Sequence, residues 1–302
     1  MKKLKVLVSL QTRENDFQIA QAVSAEEAGH KLGVDTEIAF AENDAVNQST
    51  QILQAIQNRV ESRPDAIVLE PVSGTSLPQV ARAACLAGIG WAILNRIPDY
   101  VPELRRAATA PVFAVSSDHV EIGRIQGRQF ATLLPKGGSI LYIEGPSQST
   151  SAQQRTAGML ATKPSNIQIA TLKGQWTEES AERAVGSWLS LATSKSAVID
   201  LVGAQDDSMA MGARKAFQKI THEEERERWL RLPFTGCDGQ PETGQTWVRE
   251  GWLAATIYLP PLSGKAIEIL VKAIQEGTQP PEHAVTVSYS VPPLEALAQR
   301  KS

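Results

Sequence analysis

The sequence predicts an α/β protein of two lobes, each a mainly parallel sheet flanked by helices on both faces. Three observations predict it. Short apolar runs of strand character alternate with amphipathic helical patterns along the chain. Four βα steps follow one another before Asn95, an order that favours a parallel sheet covered on both sides. The alternation then restarts near Val112, and 302 residues exceed what one small core usually holds.

Leu4–Leu10 is the first expected strand. Asp16–Leu32 is the first helix, with Phe17, Ala20, Val23, Ala28 and Leu32 at near-helical spacing and Gly33 as its stop. Strand Asp35–Phe40, helix Ala45–Ser62, strand Ala66–Leu69, helix Ser76–Ala87 and strand Gly90–Leu94 complete the first series. The second runs through strand Val112–Ser116, helix Val120–Leu134, strand Gly138–Ile143, helix Ser151–Ala161, strand Ile167–Leu172 and helix Glu178–Ala192. Strand Ala197–Val202, helix Ser208–Ile220, strand Leu232–Gly236, helix Glu242–Glu250 and strand Ala254–Tyr258 follow. Helix Leu262–Glu276 and a last strand, Val285–Tyr289, end the series. The charged stretch from His222 to Arg228 reads as a solvated helix end. Asp65–Leu69 and Ser196–Val202, each with its following helix, echo one another, and generic βα repetition explains that as well as duplication does.

Composition narrows the function classes. Hydrophobic residues make up 42%, charged residues 21%, and the formal net charge is -3, with Lys and Arg scattered along the chain. Nucleic acid is therefore not an expected partner. Cys85 and Cys237 sit among apolar or small neighbours and read as buried free thiols, not a disulfide scaffold. No stretch is long and apolar enough for a transmembrane span. The basic start and short apolar run resemble an export signal only faintly, with no small-residue cleavage site. The chain is thus expected to be cytoplasmic, or periplasmic or otherwise extracytoplasmic if its export signal lies outside this sequence.

Catalytic and metal signatures are missing too. GxSxG, P-loop and GxGxxG patterns are absent; Gly264-Lys265 lacks the earlier Gly and the following Ser/Thr of a P-loop. His30, His119, His222 and His283 are not spaced as metal ligands. His119 reads as a surface or helix-start residue. Catalytic residues, a metal and a cofactor are not expected, and the chain is not expected to be an enzyme.

Polar and planar residues instead collect after the strand ends, where open parallel sheets bind ligands. These are Asn15 and Phe17 after the first strand, Asn95 and Arg96 after the fourth, and Arg155 on the helix after Gly145-Pro146. Trp176, Asp206 and Asp238 follow three later strands. Singly, Asp206 also fits a helix N-terminus and Trp176 core packing. As a set they point to a crevice for a small polar molecule.

Several stretches resemble the ribose-binding type of periplasmic solute-binding protein, whose fold is shared with the effector domain of LacI-type repressors. They are Asn15-Asp16-Phe17, Ala92–Arg96, Thr150–Gly158, Gly203–Ala213, Thr235–Gly239 and Leu253–Ile257. The resemblance implies a ligand cleft between the lobes and a hinge of three crossings, near Val115-Ser116, Leu259-Pro260 and Val285–Ser290. The implied lobes are 1–115 plus 260–285 and 116–259 plus 286–302. Carried over by position, Asn15 and Phe17 match the first ligand loop. Asn95 and Arg96 match an Asp-Arg pair, Arg155 a ligand arginine, Trp176 a stacking aromatic, Asp206 an Asn and Asp238 an Asp. A sugar suits such a set: aromatic faces meet its C–H face, while carboxylates, amides and guanidinium groups meet its hydroxyls.

Departures from the pattern bear on which ligand is held. Asn95 stands for the usual acid, Asp206 for the usual amide, Gln18 for a second aromatic and Leu259 for a Gln; Arg13 adds a cation near the first loop. A monosaccharide, a polyol, a sugar acid or another small polar metabolite all remain open. The leading expectation is a monomeric solute-binding component of an ABC sugar uptake system, closing by its hinge and engaging a membrane permease. A ligand sensor serving a regulatory or chemoreceptor membrane protein is the alternative, and an enzyme on the same architecture is a third. No helix-turn-helix precedes Leu4.

Overall fold

A computed structural model describes residues 3–72, 77–195 and 197–299. In chain order, the first series comprises β1 (Lys5–Leu10), α1 (Asp16–Leu32), β2 (Asp35–Phe40), α2 (Ala45–Gln57), β3 (Ala66–Leu69), α3 (Pro78–Leu86), β4 (Gly90–Leu94), α4 (Val101–Ala107) and β5 (Val112–Ser117). Next come α5 (His119–Leu133), β6 (Gly138–Glu144), α6 (Thr150–Thr162), β7 (Ile167–Lys173), α7 (Glu178–Leu189), α8 (Ala192–Lys195) and β8 (Leu201–Ala204). Then follow α9 (Asp207–Gln218), α10 (Glu223–Leu230), β9 (Phe234–Thr235), α11 (Gly244–Arg249) and β10 (Thr256–Tyr258). The chain ends through α12 (Ser263–Glu276), β11 (His283–Thr286), β12 (Tyr289–Val291) and α13 (Leu294–Gln299).

These elements form two compact units, residues 1–117 with 261–286 and residues 118–260 with 287–302. The first holds a six-stranded sheet of order β11-β5-β4-β3-β1-β2, with every pairing parallel. Strand residues alternate between two apolar layers. Val6, Val8, Leu10, Ala66 and Val68 pack with Ile267 and Leu270 of α12. Leu7, Ile67, Leu69, Trp91 and Ile93 pack with Ile52 of α2 and Val80 and Ala84 of α3. That two-residue period, with both faces apolar, is why these strands read as continuous hydrophobic runs.

The second unit repeats the scheme on the parallel sheet β7-β6-β8-β9. Ile140, Tyr142 and Leu201 meet Phe130 of α5 and Met159 of α6. Leu141, Ile143, Val202 and Ala204 meet Val185 of α7 and Phe217 of α9. A separate antiparallel pair joins β10 to β12.

Helix starts follow capping chemistry. Asn15, Asp44, Asp118, Ser149, Thr177 and Asp206 each accept a first-turn N–H through their side chains. Gly33 ends α1 in the left-handed conformation at φ 68°, the stop expected of it.

Several boundaries differ from expectation. The last strand, expected as Val285–Tyr289, is two strands: β11 pairs with β5 in the first unit and β12 with β10 in the second. β8 begins at Leu201, not Ala197; just before it, Asp200 donates its N–H to the Ser139 carbonyl and accepts the Ser139 N–H through its carboxylate, each at 2.8 Å. α2 stops at Gln57, and Arg59–Arg63 form a turn closed by the Arg59 carbonyl. The stretch from His222 to Arg228 is no mere helix end but opens a separate helix, α10, pinned by buried Trp229. The expected third helix began at Ser76, which lies outside the described residues.

Candidate functional site

Each unit gathers polar groups at the carboxyl ends of its strands. In the first unit the strand order turns back between β1 and β3, the place where such sheets bind ligands. Asn95 follows β4 with a left-handed backbone, φ 60°. Its Nδ2 donates to Glu70 Oε1 at 2.8 Å. Glu70 directly follows β3, is 5% exposed, and also accepts from Gln21 Nε2 at 3.2 Å and Gln11 Nε2 at 3.4 Å. Arg96 is half-buried beside this acid. Burial lowers its basicity, and the Glu70 charge works partly against that.

Asn15 caps α1, accepting the Gln18 N–H at 3.2 Å. Gln18 Oε1 accepts the Gln11 N–H at 2.9 Å, which ties the start of α1 to the Glu70 group. Phe17 is buried yet lies outside both apolar layers of its unit. Arg13 takes a surface role: it stacks over Phe40 at 4.7 Å and faces Glu42.

In the second unit the order turns back between β6 and β8, and the residues expected there converge on Arg155. This arginine is 6% exposed on α6. Its Nη1 donates to the Gln205 carbonyl, its Nε to His119 Nδ1 at 3.4 Å, and its Nη2 lies 3.9 Å from Asp238 Oδ1. The guanidinium carbon sits 5.4 Å from the centre of the Trp176 ring, within cation–π reach. Burial works against the charge of Arg155. The charges of Asp238 and Asp206, joined at high pH by those of Cys237 and Tyr142, act against that burial and hold the arginine above its ordinary value. Burial also holds the Cys237 thiol well above its own ordinary value, so near neutral pH the two carboxylates are the groups that balance the guanidinium.

Local backbone positions these groups. Trp176 and Asp238 carry φ 63° and 105°, the left-handed region that costs a non-glycine residue energy and clusters at functional sites. The Trp176 ring lies against Gly145 at the end of β6, where an added Cβ would come within 2.2 Å of it. Asp206 caps α9 by accepting the Met209 N–H at 2.5 Å, so the helix-start reading and its place beside Arg155 both hold. Asp207 braces the Asp238 loop: its carboxylate accepts the Gly239 N–H at 2.7 Å and the Thr256 hydroxyl at 2.6 Å.

A family model described as a periplasmic binding protein domain matches residues 6–279. The chain belongs to that family. A D-ribose/D-allose-binding protein of Pseudomonas aeruginosa is 31% identical over 175 residues, 57% of this chain. The chain spans 58% and 53% of the length of the two curated relatives that match it at 31% identity. The ribose import binding protein RbsB of Salmonella typhimurium is 23% identical over 91% of this chain and 86% of its own.

Solved structures at about 22% identity share the fold of this periplasmic binding protein. An ABC transporter periplasmic solute binding protein from Actinobacillus succinogenes with bound D-allose matches 98% of this chain and all of its own, with a TM-score of 0.81. The fructose binding periplasmic domain of a hybrid two component system matches 99% of this chain and 94% of its own, with a TM-score of 0.76.

Sequence reasoning passed over several residues at these strand ends. Glu70 and Glu144 directly follow or close the apolar strands β3 and β6, the same signal that singled out Asn95. Glu144 pairs with Lys173 and accepts the Thr156 hydroxyl at 3.1 Å. His119 does start a helix but is buried against Arg155 and Ser151, not on the surface. Two glutamines tie strand-end residues to the segment on either side of Pro260-Pro261. In the first unit Gln21 accepts the Leu262 N–H at 2.7 Å; in the second Gln240 donates to the carbonyls of Asp238 and Leu259, each at 2.9 Å. Among the described residues no cluster of three or more His, Cys, Asp or Glu is placed to hold a metal, and no helix is long and apolar enough to cross a membrane.

Proposed function

We propose that this chain binds a small hydroxylated molecule, a monosaccharide or related polyol, in a cleft between its two units, without chemically changing it. The observation that carries the reading is the Arg155 group: a buried guanidinium bounded by two carboxylates and the face of Trp176. A sugar ring offers such a place a C–H face for the indole and hydroxyls that both donate and accept. Charge-assisted hydrogen bonds in a dry site are the strong ones. They reject an analogue that leaves a buried partner unpaired.

In this reading Asn15, Phe17, Asn95 and Arg96 supply the first unit's side of the grip, and Arg155, Trp176, Asp206 and Asp238 the second unit's. The chain runs between the units three times, at 117/118, 260/261 and 286/287, which suits a hinge that closes over the ligand. The protein then works outside the cytoplasm, as a monomer, delivering its ligand to the membrane permease of an ABC importer. The family match and the sugar-binding names of its relatives support that role. The fold of the two-component fructose domain supports ligand sensing as a second reading.

The test is a thermal-shift panel of D-ribose, D-allose, D-fructose, xylitol and myo-inositol, with an aliphatic diol as control. A ligand at a hundred times its Kd adds about 2.7 kcal/mol of stability. A clear rise with at least one polyol and none with the diol is expected. A flat response across the panel contradicts the reading.

A further inference from the structure

Glu70 decides which way an amide points. Its two oxygens take hydrogen bonds from three side-chain amides, those of Asn95, Gln11 and Gln21. Gln21 is itself held, since its Oε1 accepts the N–H groups of Leu262 and Ser263 at 2.7 and 2.9 Å. An ionised carboxylate can only accept, so the Asn95 atom against Glu70 must be the nitrogen. The other end of that amide, Oδ1, is turned away from the acid. It is buried and accepts no hydrogen bond from the described residues, a state that buried carbonyl oxygens rarely keep.

We propose that Glu70 is a positioning residue that holds the Asn95 amide so that position 95 offers the ligand an acceptor only, selecting a molecule that brings a hydroxyl or amine hydrogen to that point. The inference rests on the reading above that Asn95 faces the ligand. It also accounts for the amide where the resemblance leads one to expect an acid. A carboxylate at position 95 would lie against Glu70, and two like charges at hydrogen-bond distance cannot both stay ionised.

The test is calorimetric titration of the wild type, Glu70→Gln, Asn95→Asp and the double variant at neutral pH. The probe is whichever of D-ribose, D-allose, D-fructose, xylitol or myo-inositol binds the wild type most tightly. Glu70→Gln frees the amide to turn either way, and affinity falls by about tenfold. Asn95→Asp loses at least as much. In the double variant the new amide donates to the new carboxylate and leaves its second oxygen as the acceptor, so affinity returns to within about threefold of wild type. Melting curves without ligand accompany each titration; a purely structural role would restore stability in the double variant but not affinity. The inference is overturned if Glu70→Gln binds like wild type or the double variant is no tighter than the weaker single. A wild type that binds none of these polyols overturns the functional reading itself, a result distinct from either.

Discussion

Gly123→Ala would place a methyl carbon where backbone already stands. Its Cβ would lie 2.0 Å from the Arg155 carbonyl oxygen, and 2.8 Å from both the Arg155 carbonyl carbon and the Met159 nitrogen. All three are main-chain atoms, so no side-chain rotation relieves the clash. Reaching an ordinary contact of 3.4 Å requires α5 and α6 to part by more than an ångström. Overpacking of this kind costs about 1–3 kcal/mol, which for a unit of this size lowers the melting temperature by roughly 2–12 °C. Arg155 rides on the displaced helix. Its guanidinium cannot keep the Gln205 carbonyl, Asp238 and the Trp176 face all at once, so polyol affinity falls by about tenfold. Calorimetric melting and titration of the variant measure both effects. Gly186→Ala is the control: that glycine is exposed on α7 with nothing within 4 Å of its added Cβ, and stability should hold or rise by about 0.5–1 kcal/mol. A Gly123→Ala protein that melts and binds like wild type would refute the close-packed support of Arg155.

Three further outcomes are expected. Arg155→Met leaves Asp206 and Asp238 without their buried counter-charge, so stability falls by about 3 kcal/mol in denaturant melts and polyol binding is lost. Trp176→Leu removes the ring, weakening binding by about tenfold in titrations, and because the indole also packs against the unit's core the melting temperature falls as well. Stability also falls at alkaline pH. Burial raises the Cys85 thiol from 9.0 to about 11, and burial chiefly raises Tyr100 from 10.0 to about 12. Folding therefore favours their protonated forms. That contribution is complete below pH 9, the unfolded value of the thiol, and is lost as pH rises through the folded values. Melting temperatures recorded from neutral pH upward should decline across that window, and less so in a Cys85→Ala variant.

Much of the fold was legible because strands buried on both faces leave unbroken apolar runs, and long helices keep their period. β4 falls at Gly90–Leu94 and α1 at Asp16–Leu32, the spans read from sequence. What escaped was short or nonlocal. α4, α8 and α13 have seven, four and six residues, too few to repeat a helical period clearly. The break between β11 and β12 leaves no mark, since Val285–Tyr289 stays β-like while its pairing partner changes.

At the site, Asn95, Trp176 and Asp238 could be singled out because each follows a strand of a parallel sheet. Their left-handed backbones could not. Glu70 carried the same strand-end signal and was passed over. Gln21 carried none, because its partners at Leu262 and Ser263 lie more than 240 residues away in sequence.

The most direct measurement is a crystal structure with the polyol that gives the largest thermal shift. The account predicts its ring stacked on Trp176, its hydroxyls within hydrogen-bond reach of Arg155 and Asp238 from one unit and of Asn95 and Arg96 from the other. Density for the sugar at any other surface, with the indole of Trp176 and the Arg155 guanidinium untouched, would contradict it.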